Sequence, residues 1–249
     1  MPSYLRHWPQ RFLAHMSTLM PSSCALCGCT ALQPICTDCR ARFLSAPQHR
    51  CLQCAIPLPA SATEASICGN CLKQPPAFDA TIVAADYAPP IDQLVLSLKF
   101  GARLALAPQF AHMLREALLS ANRENLPLPA QLAAVPLGTE RLAERGFNQA
   151  HEIAKPLSRI LGIPLARQLI ARHRATHAQA LLHPDERRRN VRGAFTVPSA
   201  SIDRVRGQHI GIVDDVMTTG ETLNEIAATL KRFGAARITN LVFVRTPQK

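Results

Sequence analysis

The stretch Ile210-Gly211-Ile212-Val213-Asp214-Asp215-Val216-Met217-Thr218-Thr219-Gly220-Glu221-Thr222 decides how this chain folds. An apolar, β-rich run ends in two adjacent acids, and a Thr/Gly-rich turn follows. Leu223, Ile226, Ala227, Leu230 and Phe233 then recur at helical spacing, and Gly234 fits a C-cap. The pattern predicts a strand, an acid pair, a hydroxyl-rich loop and a helix from about Leu223. Backbone N–H groups and hydroxyls at a helix N-terminus suit a phosphate dianion. A carboxylate pair suits vicinal sugar hydroxyls, which donate hydrogen bonds to it. A phosphorylated sugar is the ligand that these residue types, in this order, would hold.

Outward from this run, strand and helix patterns alternate. Gly207-Gln208 punctuates before the strand, and Arg237 to Val244 reads as the next one. Upstream, Thr81 to Tyr87 reads as a strand, and Ile91 to Phe100 and Leu104 to Leu119 as helices separated at Gly101. Asn122 to Pro129 is polar and Pro-rich, hence a loop; Leu132 to Val135 is a short buried strand ending at Pro136. A charge-rich loop then leads into a helix from about Asn148 to Leu161, and Gly162-Ile163-Pro164 turns the chain toward a strand near Leu165 to Ile170. Arg172 to Gly193 is basic and poor in apolar residues. Such alternation implies an α/β fold with a mainly parallel sheet flanked by helices, and ligands at the carboxyl ends of the strands. The loop after Val135 offers a second anion site: Arg141 and Arg145 supply charge, and Asn148, followed by Gln149, is an N-cap.

The chain of 249 residues has room for one large domain, or a medium one with a small companion. No apolar run reaches transmembrane length. Residues 1–22 are weakly basic and amphipathic (Leu5, Trp8, Phe12, Met16, Leu19) without a continuous apolar core or cleavage site. They read as a short helix and not as a signal peptide, and the expected location is cytoplasmic. The net charge of +11 comes mostly from arginine, crowded into the second half. That balance favours a polyanionic partner, a diphosphate ligand or nucleic acid. Aromatics are sparse, so composition does not indicate a base-stacking platform.

All nine cysteines lie between Cys24 and Cys71. They form four C-x-x-C pairs, Cys24/Cys27, Cys36/Cys39, Cys51/Cys54 and Cys68/Cys71, with Cys29 left over. Two intervening residues let both thiolates reach one tetrahedral ion, so the eight ligands suffice for two structural Zn²⁺ sites. Iron–sulfur ligation shares the spacing. Sequential pairing, the first two knuckles on one ion and the last two on the other, is the simplest arrangement; an interleaved one satisfies the same spacing. Cys29 reads as a bystander. Lys73-Gln74-Pro75-Pro76 reads as the hinge between a zinc module (23–75) and the body (76–249).

The run from Ile210 to Thr222 resembles the phosphoribosyl-pyrophosphate (PRPP) motif of type I phosphoribosyltransferases. The order of four knuckles, Leu98-Lys99-Phe100, Arg145-Gly146-Phe147-Asn148-Gln149, Arg187 to Phe195 and then the PRPP-type motif resembles the ComF family of competence-associated proteins. That resemblance covers the chain from about Cys24 onward. It implies a double zinc ribbon before a phosphoribosyltransferase-type domain, and a setting in DNA uptake and natural transformation. Asp214 and Asp215 would hold the ribose hydroxyls, and Val216, Met217, Thr218, Thr219, Gly220, Glu221 and Thr222 would wrap the 5′-phosphate. Arg141, Arg145, Asn148 and Gln149 would face pyrophosphate. Arg172, Arg174, Gln179, Arg188 and Arg189 would lie on a mobile loop closing over Mg²⁺-bound PRPP, where arginines neutralise the leaving group. Thr218 stands where purine-salvage relatives often place an acid, so the acceptor is open. The implied activity is phosphoribosyl transfer to an unknown acceptor. The other readings are a non-catalytic PRPP or nucleotide sensor and a single-stranded DNA-binding accessory factor working with a competence helicase or other uptake proteins.

Overall fold

The computed structural model describes residues 22–44, 49–59, 66–122, 127–173 and 191–247. The expected helix over 1–22 falls almost wholly outside them, as do Arg174, Gln179, Arg187, Arg188 and Arg189. The chain divides into two compact units, Met1–Ala46 and Pro47–Lys249. In the first, β1 (Ser22–Ser23) pairs antiparallel with β2 (Thr30–Ala31), and α1 (Thr37–Leu44) follows. The second unit holds the other two knuckles together with the sheet, so the Lys73 to Pro76 segment lies inside it.

The second unit starts with the short α2 (Gly69–Lys73), then β3 (Ala80–Asp86), α3 (Ile91–Lys99) and α4 (Leu106–Asn122). Next come β4 (Gln131–Ala134), α5 (Thr139–Arg145) and α6 (Gln149–Leu161). The two-residue strands β5 (Ala171–Arg172) and β6 (Phe195–Thr196) pair antiparallel. The chain then runs through α7 (Ile202–Val205), β7 (His209–Met217), α8 (Glu221–Arg232) and β8 (Arg237–Arg245). Four strands form one parallel sheet in the order β3-β8-β7-β4. In its register Asp214 of β7 sits opposite Val242 of β8 and Val213 opposite Ala134 of β4.

Strands buried on both faces read as continuous apolar runs, and β7 and β8 do so because helices cover the sheet on each side. On one side α4 packs against β3 and β8, and α6 against β7 and β4. The Phe110 ring of α4 stacks on Phe243 of β8 with centroids 3.6 Å apart. The other core gathers Leu223, Ile226, Ala227 and Leu230 of α8 against Ile210, Ile212 and Val242, with Leu169, Ile170, Phe195 and Val197 completing it. Burying each such large aliphatic side chain contributes about 1.5–3 kcal/mol. Gly211 is fixed by close packing, since a Cβ there would stand 2.7 Å from Leu132 Cδ2.

Two expectations are corrected. The charge-rich segment after Val135 contains the helix α5; none of its residues is buried, so no apolar period announces it. Gly146, at φ 73°, ends it by donating to the Leu142 carbonyl. Leu165 to Ile170 is not a strand of the sheet. Only Leu165 bridges to Leu132, and Leu169 and Ile170 are buried by packing on the α8 face. Beyond that one bridge, hydrophobicity there records burial without ladder pairing.

Candidate functional site

The carboxyl end of β7 builds the centre of the site. Asp214 and Asp215 stand near the end of the strand, the chain turns at Thr218, Thr219 and Gly220, and α8 begins at Glu221. The helix therefore starts two residues earlier than its apolar spacing suggests, and Glu221 and Thr222 belong to its first turn. Gly220 is the N-cap at φ 87°, and a Cβ on it would lie 2.5 Å from Met217 Cε. Only glycine adopts this left-handed turn at no steric cost. The Gly220 carbonyl accepts a helical bond from Asn224 N–H at 2.8 Å, which fixes the start of α8 at this turn.

The two acids differ. Asp215 is buried, 3% exposed, and its Oδ2 lies 2.7 Å from Lys99 Nζ at the end of α3. Asp214 is half-buried, and its Oδ1 accepts from the Asp215 backbone N–H at 2.9 Å. Desolvation, and then the adjacent Asp215 carboxylate, hold Asp214 well above the usual carboxylate range; Lys99 opposes them. The acid pair therefore calls for a cation or for hydroxyl donors.

Arg145, closing α5, feels Asp215 electrostatically, and its guanidinium lies over the exposed Phe100 ring, 5.2 Å from the centroid. Burial lowers its pKa and Asp215 opposes that shift. Lys99, Phe100, Arg145 and Asp215 thus converge. Arg141 and Arg172 form a second basic group. The Arg172 guanidinium packs over Phe195 at 5.6 Å and beside Gly138, and its pKa is lowered by burial and then by Arg141. Its buried Nε has no hydrogen-bond partner among the described residues. Asn148 works structurally: Oδ1 caps α6 by accepting from His151 N–H at 3.3 Å, and Nδ2 donates to the Val135 carbonyl at 3.0 Å. One side chain so ties the start of α6 to the end of β4. Gln149 is buried, and its Oε1 finds no partner among the described residues.

The cysteines fall into two groups in sequential order. The sulfur atoms of Cys51, Cys54, Cys68 and Cys71 lie within 4.8 Å of one another, and Cys68 N–H donates to Cys51 Sγ at 3.3 Å. The Cys54 thiol and backbone N–H groups of Cys54, Cys68 and Gln53 hold Cys51 down to about 4, against burial. Near the N-terminus the sulfurs of Cys24, Cys27, Cys29 and Cys36 are equally close, and the Cys39 backbone N–H donates to Cys36 Sγ at 3.4 Å. The Cys24 sulfur accepts from the N–H groups of Leu26 and Cys36. Four converging soft donors with backbone N–H support fit a tetrahedral Zn²⁺ in both places. Cys29 stands within the first group, 3.2 Å from Cys27, and not apart from it. The set that converges here and the set that the C-x-x-C spacing implies share Cys24, Cys27 and Cys36, and differ in Cys29 against Cys39 for the fourth place.

Residues 148–249 match the phosphoribosyl transferase domain family. The chain is 39% identical over 214 residues to the DNA utilization protein YhgH of Escherichia coli O157:H7, covering 85% of this chain and 90% of that one. It is 34% identical over 205 residues to Competence protein F of Haemophilus influenzae, covering 82% and 87%. This chain belongs to the ComF family. A shorter match, 30% over 120 residues, reaches Competence protein ComFC of Bacillus subtilis and covers 46% of this chain and 44% of that one. A solved purine phosphoribosyltransferase from Pyrococcus horikoshii superposes with a TM-score of 0.33 at 21% identity, covering 57% of this chain and 85% of that one. In this ComF protein two residues at the site had no assigned role in the sequence reading. Lys99 was visible only as the centre of Leu98-Lys99-Phe100. Arg245 lies one position beyond the Arg237 to Val244 strand pattern, and nothing in the sequence singles it out.

Proposed function

We propose that this ComF protein binds PRPP with Mg²⁺ at the carboxyl end of β7 and transfers its phosphoribosyl group to an acceptor in DNA uptake. The observation that carries the reading is the acid pair leading directly into a left-handed Gly220 turn at the N-terminus of α8. In this reading Asp214 and Asp215 accept from the ribose 2′- and 3′-hydroxyls, and the loop from Val216 to Thr222 takes the 5′-phosphate. Mg²⁺, when bound with PRPP, neutralises charge on the pyrophosphate. Arg145, Arg141 and Arg172 line up for the same anion, and the converging positive charge favours its departure. Arg174, Gln179, Arg188 and Arg189 would add to that closure. The two thiol groups hold structural Zn²⁺. The names of the relatives concern competence and DNA utilization, and the net charge of +11 suits a nucleic-acid partner.

Calorimetric titration of Mg²⁺–PRPP into zinc-loaded wild type and an Asp214→Asn/Asp215→Asn variant tests the ligand. Binding by wild type that is lost in the variant supports the reading. No binding by folded wild type refutes it. The second reading, direct single-stranded DNA binding without turnover, is favoured by the charge excess. It requires affinity that falls steeply with salt, and flat or absent binding rejects it.

A further inference from the structure

Arg245 ends β8 and is 1% exposed, the largest fully buried side chain among the described residues. A buried guanidinium is costly unless its donors are used. Among the described residues no carboxylate pairs with Arg245; its Nε and Nη1 face four backbone carbonyls instead, while the buried Nη2 has no partner there. Nε reaches the Cys54 carbonyl at 3.0 Å. Nη1 reaches the carbonyls of Met217 at 3.2 Å, Thr246 at 2.9 Å, and Thr218. Cys54 belongs to the second thiol group, and Met217 and Thr218 open the loop before α8. Thr246 N–H also donates to the Met217 carbonyl at 2.9 Å, so the end of β8 grips the loop twice.

The charges point the same way. Burial lowers the Arg245 pKa, and Cys54, Cys71 and Cys68 oppose that shift. Four thiolates around one Zn²⁺ leave a net negative centre beside this cation. Arg245 is therefore held from one side by the thiol group, and from the other it holds the two carbonyls that set the loop's path.

We propose that Arg245 is a positioning residue that couples metal occupancy of the Cys51/Cys54/Cys68/Cys71 group to the shape of the phosphosugar loop. The proposal rests on the reading of that loop as the PRPP site. With an ion held by the four thiols, Cys54 would sit in a fixed knuckle; its carbonyl fixes the guanidinium, and the guanidinium fixes Met217 and Thr218. Coupling of this kind is reciprocal: zinc in the second group tightens PRPP, and PRPP tightens zinc there by the same factor. A rigid chain of hydrogen bonds of this length supports a factor of about tenfold.

The test is chelator competition on full-length protein, with and without saturating Mg²⁺–PRPP; Cys68→Ser identifies the signal of the second group. The expected result is a zinc affinity at the second group that rises about tenfold with PRPP. In Arg245→Lys, which keeps the charge and loses the fork, that gain falls below about twofold while PRPP still binds. If Arg245→Lys does not fold, the wild-type comparison decides alone. Equal zinc affinity with and without PRPP, in a protein that calorimetry shows to bind PRPP, overturns the coupling and leaves the PRPP reading standing. Absence of PRPP binding to zinc-loaded wild type overturns both.

Discussion

Replacing Lys99 by Met probes the pair at the heart of the site. Lys99 Nζ and Asp215 Oδ2 are 2.7 Å apart, and the side chains are 19% and 5% exposed. At that distance an effective dielectric constant of about 20 gives a gross attraction of about 6 kcal/mol. Desolvating both ends offsets much of this, so the net value of the pair is far smaller. Removing one partner is different, because Asp215 is then left charged and buried; such a loss costs about 3–5 kcal/mol. Lys99 retains some solvent, which argues for about 3 kcal/mol. In a body of this size that corresponds to a fall in Tm of roughly 6–12 °C. The assay is thermal unfolding of zinc-loaded wild type, Lys99→Met, Asp215→Asn and the double variant. Neutralising Asp215 should restore most of the loss, so the two single effects should fail to add. A Lys99→Met protein melting within about 1 °C of wild type, or a double variant whose losses simply add, would refute the reasoning.

Two further outcomes follow from the same end of β7. Because the Asp214 pKa is raised on folding, the contribution of this residue to stability is fully present below about pH 4, the unfolded value, and is lost as pH rises through the folded one. Asp214→Asn should therefore match wild type in acid, exceed it in Tm at neutral pH and lose PRPP; a Tm difference independent of pH would contradict this. Gly220→Ala places a methyl at φ 87° against the tip of Met217. A left-handed alanine costs about 1–2 kcal/mol, so Tm should drop by roughly 2–8 °C, and PRPP affinity by more than the tenfold that a 1.4 kcal/mol loss would give. Unchanged PRPP affinity in a folded variant would show that the turn does not shape the site.

The sequence made β7, β8, α6 and α8 legible because each is buried either along a continuous run or at helical spacing. Apolar runs marked the doubly covered strands, the spacing of Leu223, Ile226 and Leu230 marked the helix, and the knuckles marked the thiol groups. It did not reveal α5, whose residues bury nothing and whose only local signal is Gly146. It overstated Leu165 to Ile170, because packing against α8 and ladder pairing produce the same apolar composition. Cys29 looked spare because spacing counts ligands and does not locate sulfurs; the turn at Gly28, φ 74°, belongs to the same short segment.

What a motif search cannot supply is the company its residues keep. Asp214 and Asp215 were readable from two neighbouring letters, yet their chemistry depends on Lys99, more than a hundred positions upstream, and on Arg145. The parallel sheet produces this convergence. Helices that follow strands place their ends, with loops and caps, around the carboxyl edge. Lys99 ends the helix after β3, Arg145 ends α5 after β4, and Gly220 opens α8 after β7. Three separate segments therefore bring two cations and one helix N-terminus to a pair of acids, one of which is already pushed toward protonation. An anionic sugar with free hydroxyls is the ligand that uses all of these groups at once. A polyanion without hydroxyl donors would leave the acid pair as a repulsive element, and for that reason the acids, more than the excess of arginine, favour PRPP over nucleic acid at this edge of the sheet.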